Sequence, residues 1–404
     1  MERPYPKVKI TPKGERKLRS GHPWVFEAEV TEVCGEAENG GIVDVFSEKD
    51  RWLGAGFYNA NSKIRVRLIS RNANDRFDSS FWRRALCYAV DYRRAVLREA
   101  DFRCCRLIFG EADRFPGLTV DRFENVLVIE TLSLGMERIK DALFPMLVDV
   151  LRERGAEITA VYERSESALR GKEGMEPRKG FICGSGDGHV EICENGIFYD
   201  VDYVNGQKTG FFLDQKFNRR AIREIAAGRR VLDCFTHTGS FGFNAVMGGA
   251  NHVTSVDISA DAIEQTKKNA ARNGFTEKMD FVCADVFDLL TDMANQGGKG
   301  AYDVIILDPP AFTKSGATVK SAYRGYKEIN LKAMKLLPRG GYLATCSCSH
   351  FMTDELFRQM LTEAAADAGV SLRQIEARQQ GADHPILWGV PETSYLKFYI
   401  FQVV

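Results

Sequence analysis

The chain has 404 residues, 44% apolar and 27% charged, a mix that excludes long disordered tracts and predicts two or three globular cores at ~150 residues each. Lys+Arg and Asp+Glu both number 55, so no global charge draws a polyanion, and any nucleic-acid surface has to be a local patch. No apolar run approaches the ~20 residues that span a bilayer. The start, "MERPYPKVKITPKGERK", lacks the apolar stretch of a secretory signal. The ten cysteines are scattered, which suits a reducing compartment, so the expected location is cytoplasmic.

Residues 1–73 predict a small β-rich unit. "GGIVDVFS", "WLGAGFY" and "KIRVRLIS" are runs of β-branched and aromatic residues separated by Gly, Asn and charge clusters. A basic stretch precedes them: Lys7, Lys9, Lys13, Arg16, Lys17 and Arg19, then "GHPWVF". Taken alone, the charge run reads as a solvated face and Trp24 as core. Residues 74–195 predict an α+β unit. Residues 76–100 carry apolar side chains at helical spacing with Arg opposite. "CCRLIFGEADRFPGLTVDRFENVLVIETLS" reads as strand, Gly/Pro turn, strand, and a helix follows from about Met136 to Arg154. "ITAVYERS" reads as another strand, and the Gly-rich "GFICGSGDGHVEI" as an exposed stretch. There is no internal repeat.

Residues 196–404 change rhythm. "RRVLDCF", "HVTSVDIS", "DFVCADV", "YDVIILDPP" and "GGYLATCSCS" alternate with helical patterns such as "ADAIEQTKKNAARNG" and "YKEINLKAMKLL". Strands separated by helices of this length predict a parallel α/β sheet covered on both faces. The last stretch, "LWGVPETSYLKFYIFQVV", reads as two strands joined by a turn, an antiparallel edge added to that sheet.

In an open parallel sheet, ligands sit at the carboxyl ends of the strands. The first strand ends in "DCFTHTGSFG", where Asp233 precedes the loop and Gly239 lets backbone approach a ligand. It is neither G-x-G-x-x-G nor a Walker sequence, which disfavours a dinucleotide or a nucleoside triphosphate. The second strand ends at Asp257, where a carboxylate can accept both ribose hydroxyls of a nucleoside cofactor. The third ends at Asp285, where one could meet an adenine amino group. Each aspartate by itself is more often a helix cap; three in register at successive strand ends point to a cofactor. The fourth strand ends in "LDPPAF". Two prolines stop a central strand, hold Asp308 at the rim and leave Phe312 able to stack on a planar base.

With these residues in place, the chain resembles the class I S-adenosylmethionine-dependent methyltransferases. It is most similar to bacterial large-subunit ribosomal RNA cytosine-5 methyltransferases of the RlmI type. "GHPWVF", "GLTVDRF", "KEGME", "GQKTGFFLDQKFNRR", "SVDIS", "LDPPAF", "RGYKEINLKA", "SCS" and "ADHP" all have counterparts in family order. The resemblance implies an N-terminal PUA domain, a central α+β domain that helps hold RNA, and a Rossmann-like catalytic domain. It implies S-adenosylmethionine as cofactor and large-subunit ribosomal RNA as partner, leaves a homodimer open, and involves no membrane. It turns Lys13, Arg16 and Lys17 into expected RNA-backbone contacts.

By the same carry-over, residues 206–220 close over the methionine end of the cofactor through Lys208, Phe212, Asp214 and Asn218. Asp233, Phe235, Thr238 and Gly239 belong to the methionine-side loop, Asp257 and Ile258 to the ribose, and Asp285 and Val286 to the adenine. Asp308 serves both the cofactor side and the base edge of cytosine. Arg324, Tyr326 and Lys327 either line the RNA approach or are simply a basic helix start.

Carbon 5 of a pyrimidine is too weak a nucleophile to take a methyl from a sulfonium directly. A thiolate adding at carbon 6 makes carbon 5 enolate-like, so the chemistry calls for a cysteine. "LATCSCSH" offers Cys346 and Cys348 at the rim of the fifth strand. C-x-C without a His or Cys cluster is not a zinc site, and no metal is expected. Cys346 lies within the apolar run and reads as packed. Cys348 lies at its end and matches the Ser-Cys-Ser of the family, so it is the expected nucleophile. The competing functions are formation of 7-methylguanosine, which needs no thiol, formation of 5-methyluridine, which does, and RNA binding without catalysis.

Overall fold

The computed structural model describes residues 3–404. They form two compact units: residues 3–192 with Asp200–Leu213 and Ala382–Thr393, and Cys193–Tyr199 with Asp214–Gly381 and Ser394–Val404. Among the described residues, no helix is long and apolar enough to cross a membrane.

The first unit holds two main sheets. A six-stranded sheet contains the three expected strands as Ile42–Ser47, Trp52–Tyr58 and Ile64–Ser70, around a core that includes Val8, Ile10, Val25, Val45 and Val66. Of the basic stretch, Lys7 and Lys9 lie on a strand, Lys7–Ile10, and the rest folds as a helix, Pro12–Arg19. The Thr11 side chain accepts from Gly14 N, and Pro12 takes the first turn, where its missing N–H costs nothing. A five-stranded sheet follows: Cys104–Phe109, Leu118–Phe123, Val126–Thr131, Ala160–Ser165 and Arg178–Cys183, neighbours in chain order. The stretch expected as strand, turn, strand therefore contains three strands. Glu124, at φ 54°, makes a second tight turn that no glycine announces.

The second unit is built on a seven-stranded sheet. Its strands are β1 (Arg230–Cys234), β2 (His252–Asp257), β3 (Met279–Cys283), β4 (Val304–Leu307), β5 (Tyr342–Ser347), β6 (Leu372–Arg378) and β7 (Lys397–Val403). The spatial order is β3-β2-β1-β4-β5-β7-β6. β1 to β5 run parallel, and β7 is antiparallel to both β5 and β6. Helices α1 (Ser240–Met247), α2 (Ala260–Arg272), α3 (Val286–Asn295), α4 (Val319–Leu336) and α5 (Asp354–Ala368) complete the α/β arrangement.

The C-terminal expectation is corrected here. "LWGVPETSYLKFYIFQVV" holds one strand, because Gly389 and Pro391 break the run before it. That strand, β7, is internal, which explains its nearly unbroken apolar sequence. The edge is the charged β6, whose exposed Arg and Gln blunt an open ladder.

Candidate active site

The end of β1 leads through Phe235–Gly239 into α1. Phe235 (φ 63°), His237 (φ 52°) and Gly239 (φ 85°) are left-handed. Each non-glycine residue there costs ~1–2 kcal/mol, so the loop needs bracing. Asp233, fully buried beneath it, accepts from Gly242 N at 2.9 Å and from the Thr236 hydroxyl. Asp257 at the end of β2 accepts from His237 N and Ser259 N, both at 3.0 Å. The cap of α2 is Ser259, whose hydroxyl accepts from Ala262 N, so Asp257 is a loop brace with a lone pair left on each oxygen. Asp285 accepts from Phe287 N at 2.7 Å and caps α3. Val286 is buried, whereas Ile258 is 68% exposed. Burial pushes Asp233 up to about 7, opposed by the bonds from Thr236 and Gly242. Burial also lowers His237 to about 4, which keeps the loop uncharged at that ring.

The other half of the rim is made of side chains. β4 stops at Leu307, and Asp308 follows. Its Oδ1 accepts from Gln215 Nε2 at 3.0 Å, and Gln215 Oε1 accepts from Asn218 Nδ2 at 2.6 Å. Asn218 also donates to the Gln379 carbonyl at 3.3 Å. Asp214 Oδ2 accepts from the Tyr395 hydroxyl at 2.6 Å. The short helix Lys216–Ala221 that carries Asn218 is pinned by Arg219, paired with Glu194 at 2.7 and 2.8 Å, both buried. Burial, reinforced by the charge of Asp214, pushes Asp308 up to about 7.

Two cysteines end β5. Cys346 is fully buried, and burial together with the Asp308 charge drives its thiol well above the ordinary range. Asp308 and Gln215 are the groups that act on this thiol, so it lies beside the polar layer at the rim. Cys348 stands one residue beyond the strand and is partly exposed.

The remaining predicted residues divide clearly. Tyr326 is fully buried and meets Ser349 Oγ at 3.0 Å; it supports the Ser-Cys-Ser turn from behind and cannot line an RNA surface. Lys327 turns to α5, where it pairs with Asp367 at 2.9 Å and Glu363 at 3.4 Å. Arg324 is exposed on α4. Phe312 is partly buried, its ring 4.5 Å from that of Tyr326. In the first unit, Lys13 and Arg16 are exposed on their helix, and Lys17 pairs with Glu29 at 2.7 Å. Lys208 and Phe212 also belong to the first unit, with the ammonium 5.0 Å above the ring. Gln215, Tyr395 and Lys397 were not singled out from the sequence. For Lys397 the signal was there: a lone cation in the apolar run "YLKFYIF".

Comparison with known proteins gives consistent results. A family model for S-adenosylmethionine-dependent methyltransferases matches residues 169–401, and one for PUA-like domains matches residues 8–71. The chain is 39% identical over 402 residues to a ribosomal RNA large subunit methyltransferase I from Klebsiella pneumoniae, covering 99% of each. It is 38% identical to a protein of the same name from Alteromonas mediterranea, covering 98% of each. A solved SAM-dependent methyltransferase fold from Streptococcus mutans superposes with a TM-score of 0.82 at 22% identity, over 98% of this chain and 100% of that one. A methyltransferase crystallised with SAH superposes with a TM-score of 0.83, also at 22% identity and with the same coverage of both chains.

Proposed function

This chain belongs to the S-adenosylmethionine-dependent methyltransferase family, and on that premise we propose that it methylates carbon 5 of a cytosine in large-subunit ribosomal RNA through a covalent adduct with Cys348. The donor is S-adenosylmethionine, and the rim of the sheet fits it. The carboxylates at the ends of β2 and β3 suit ribose and adenine donors. Asp233 Oδ1 and Thr238 Oγ1 are buried polar atoms without a partner among the described residues. Residues 235–239 alternate the sign of φ, and the N–H groups of Thr236, His237 and Gly239 are held by Val256, Asp257 and Thr236, so the loop keeps a fixed curve at the rim. Asp257 and Asp285 would hold the nucleoside and the Phe235–Gly239 loop the amino-acid end. Bound there, the cofactor supplies an electrophilic methyl group.

The single observation that carries the cytosine reading is the pair of roles at the end of β5. Cys346 is fully buried, and Cys348 is left partly exposed. In the proposed cycle the Cys348 thiol loses its proton to solvent, and the thiolate adds to carbon 6 of the base. Electron density moves to carbon 5, which gains the methyl. Loss of the carbon-5 proton and expulsion of the thiolate restore the ring. Asp308, raised to about 7, can hold a proton near neutrality and meet the base edge as donor or acceptor. The relatives' names and the exposed Lys13 and Arg16 support ribosomal RNA as substrate.

The test is incubation of the protein with labelled S-adenosylmethionine and unmodified large-subunit RNA, followed by nucleoside analysis. Labelled 5-methylcytidine is expected. Recovery of 7-methylguanosine or 5-methyluridine would overturn the proposal, as would full turnover in Cys348→Ala.

A further inference from the structure

β7 begins with a lysine at the rim of a buried sheet. Lys397 stands directly opposite Ser347 in the antiparallel β5–β7 register. It therefore sits where β5 delivers the Ser347–Cys348–Ser349 turn. Its side chain is only 6% exposed. Nζ donates to the Ser349 carbonyl at 2.7 Å and to the Tyr395 carbonyl at 2.8 Å, which engages two of its three N–H bonds.

No carboxylate lies within ion-pair distance of this ammonium among the described residues. A buried cation held only by carbonyls is costly and calls for an anion. The groups whose negative charge would act on Lys397 are Cys348, in the turn whose Ser349 carbonyl Nζ holds, and Asp354. Asp354 is outside ion-pair distance and accepts from the Tyr399 hydroxyl, whereas Cys348 belongs to the turn to which Nζ is bonded. The other groups around the turn do not compete for this role. Tyr326, from α4, is occupied with Ser349 Oγ. Cys346, beside it on β5, is fully buried, and burial drives its thiol well above the ordinary range, so it stays neutral. Asp308, from β4, holds its proton up to about 7, so it opposes a nearby thiolate less than an ordinary carboxylate would.

We propose that Lys397 is a positioning residue that holds Cys348 as its thiolate, the ammonium anchored on the carbonyls around the Ser-Cys-Ser turn. The inference rests on the reading of Cys348 as the nucleophile. It adds the group that makes this thiol reactive: ionisation releases the thiol proton to solvent, and the thiolate becomes the counter-ion of Lys397. Burial lowers the lysine to about 8, so the ammonium persists at neutral pH and is lost above it.

The test is the pH profile of Cys348 alkylation by iodoacetamide in the full chain, read by tandem mass spectrometry of the peptide containing it. The wild-type inflection is expected at least one unit below the ~8.5 of an ordinary thiol. Lys397→Met should move it up by one unit or more, slowing alkylation at pH 7 by about tenfold, since one pH unit is tenfold in thiolate fraction. Lys397→Arg should keep the wild-type profile, with S-adenosylhomocysteine binding unchanged in all three proteins. A lysine that merely staples the turn would leave the inflection in place in Lys397→Met, and that result overturns the proposal. If Lys397→Met does not fold, a wild-type inflection at or above that of an ordinary thiol overturns it equally. Turnover by Cys348→Ala would instead defeat the nucleophile assignment, so the two failures are distinguishable.

Discussion

The two halves of the sheet rim solve different problems with different materials. At β1 and β2, carboxylates are occupied with backbone: Asp233 and Asp257 hold Gly242, His237 and Ser259 in a loop that contains three left-handed residues. At β4, β5 and β7, side chains hold side chains: Asn218, Gln215 and Asp308 form one connected layer, and Lys397 supports the turn that carries Cys348. The first half is a shape held by braces and suits a ligand recognised by its hydroxyl and amino groups. The second is an electrostatic setting and suits a group whose charge has to change. Binding and reactivity should therefore be separable by mutation.

The largest separation is expected from Cys348→Ala. Methyl transfer to RNA should fall by roughly 10³-fold or more, while S-adenosylhomocysteine affinity by calorimetry stays as in wild type. Loss of both together would show that the halves are not independent.

Next in size is a pH effect on the braced half. Asp233 sits near 7 in the fold and near 3.8 unfolded, so the folded state binds the extra proton. Stability is then highest at low pH, declines as pH rises through about 4 and levels off above about 7. The contribution is on the order of 2–4 kcal/mol. Asp233→Asn keeps the shape without the titration, so its stability relative to wild type should improve steadily from pH 4.5 to 7.5 in denaturant melts. A constant difference over that range would argue against a proton-bound Asp233.

Asp257→Ala should weaken S-adenosylhomocysteine binding by about 10- to 100-fold, the scale of lost charge-assisted hydrogen bonds. The alkylation profile of Cys348 should not move. A change in that profile would mean that the loop brace reaches the reactive half.

The smallest effect is expected for Gly239→Ala. At φ 85° an added Cβ is strained, and it would stand 2.4 Å from Phe243 Cζ. A loss of about 1–2 kcal/mol should be visible as a lowered Tm, with cofactor affinity reduced in parallel.

Much of this was legible from residue order, and the failures are instructive. The strand ends at Cys234, Asp257, Leu307 and Ser347 follow from apolar runs stopped by charge, proline or polar residues, which are local signals. The helix Pro12–Arg19 hid inside a charge run because its cap, Thr11 with Pro12, is brief. Tyr326 and Lys327 were placed together at an RNA approach because they are adjacent in sequence. On α4 their side chains diverge by about 100° per residue, so Tyr326 enters the core and Lys327 meets α5.

The sequence by itself determined the α/β class and the aspartates at successive strand ends, and it supplied the grounds on which Cys348 is proposed over Cys346. Each of these depends on short-range pattern and on the chemistry a pyrimidine demands. Only the tertiary structure decided which strand lies beside β5. Strand order is set by how faces pack and crossovers close, and no local periodicity encodes it. Inserting β7 between β5 and β6 brings Lys397, distant in sequence, onto the Ser349 carbonyl of the cysteine turn, which is the ground for the role proposed for it.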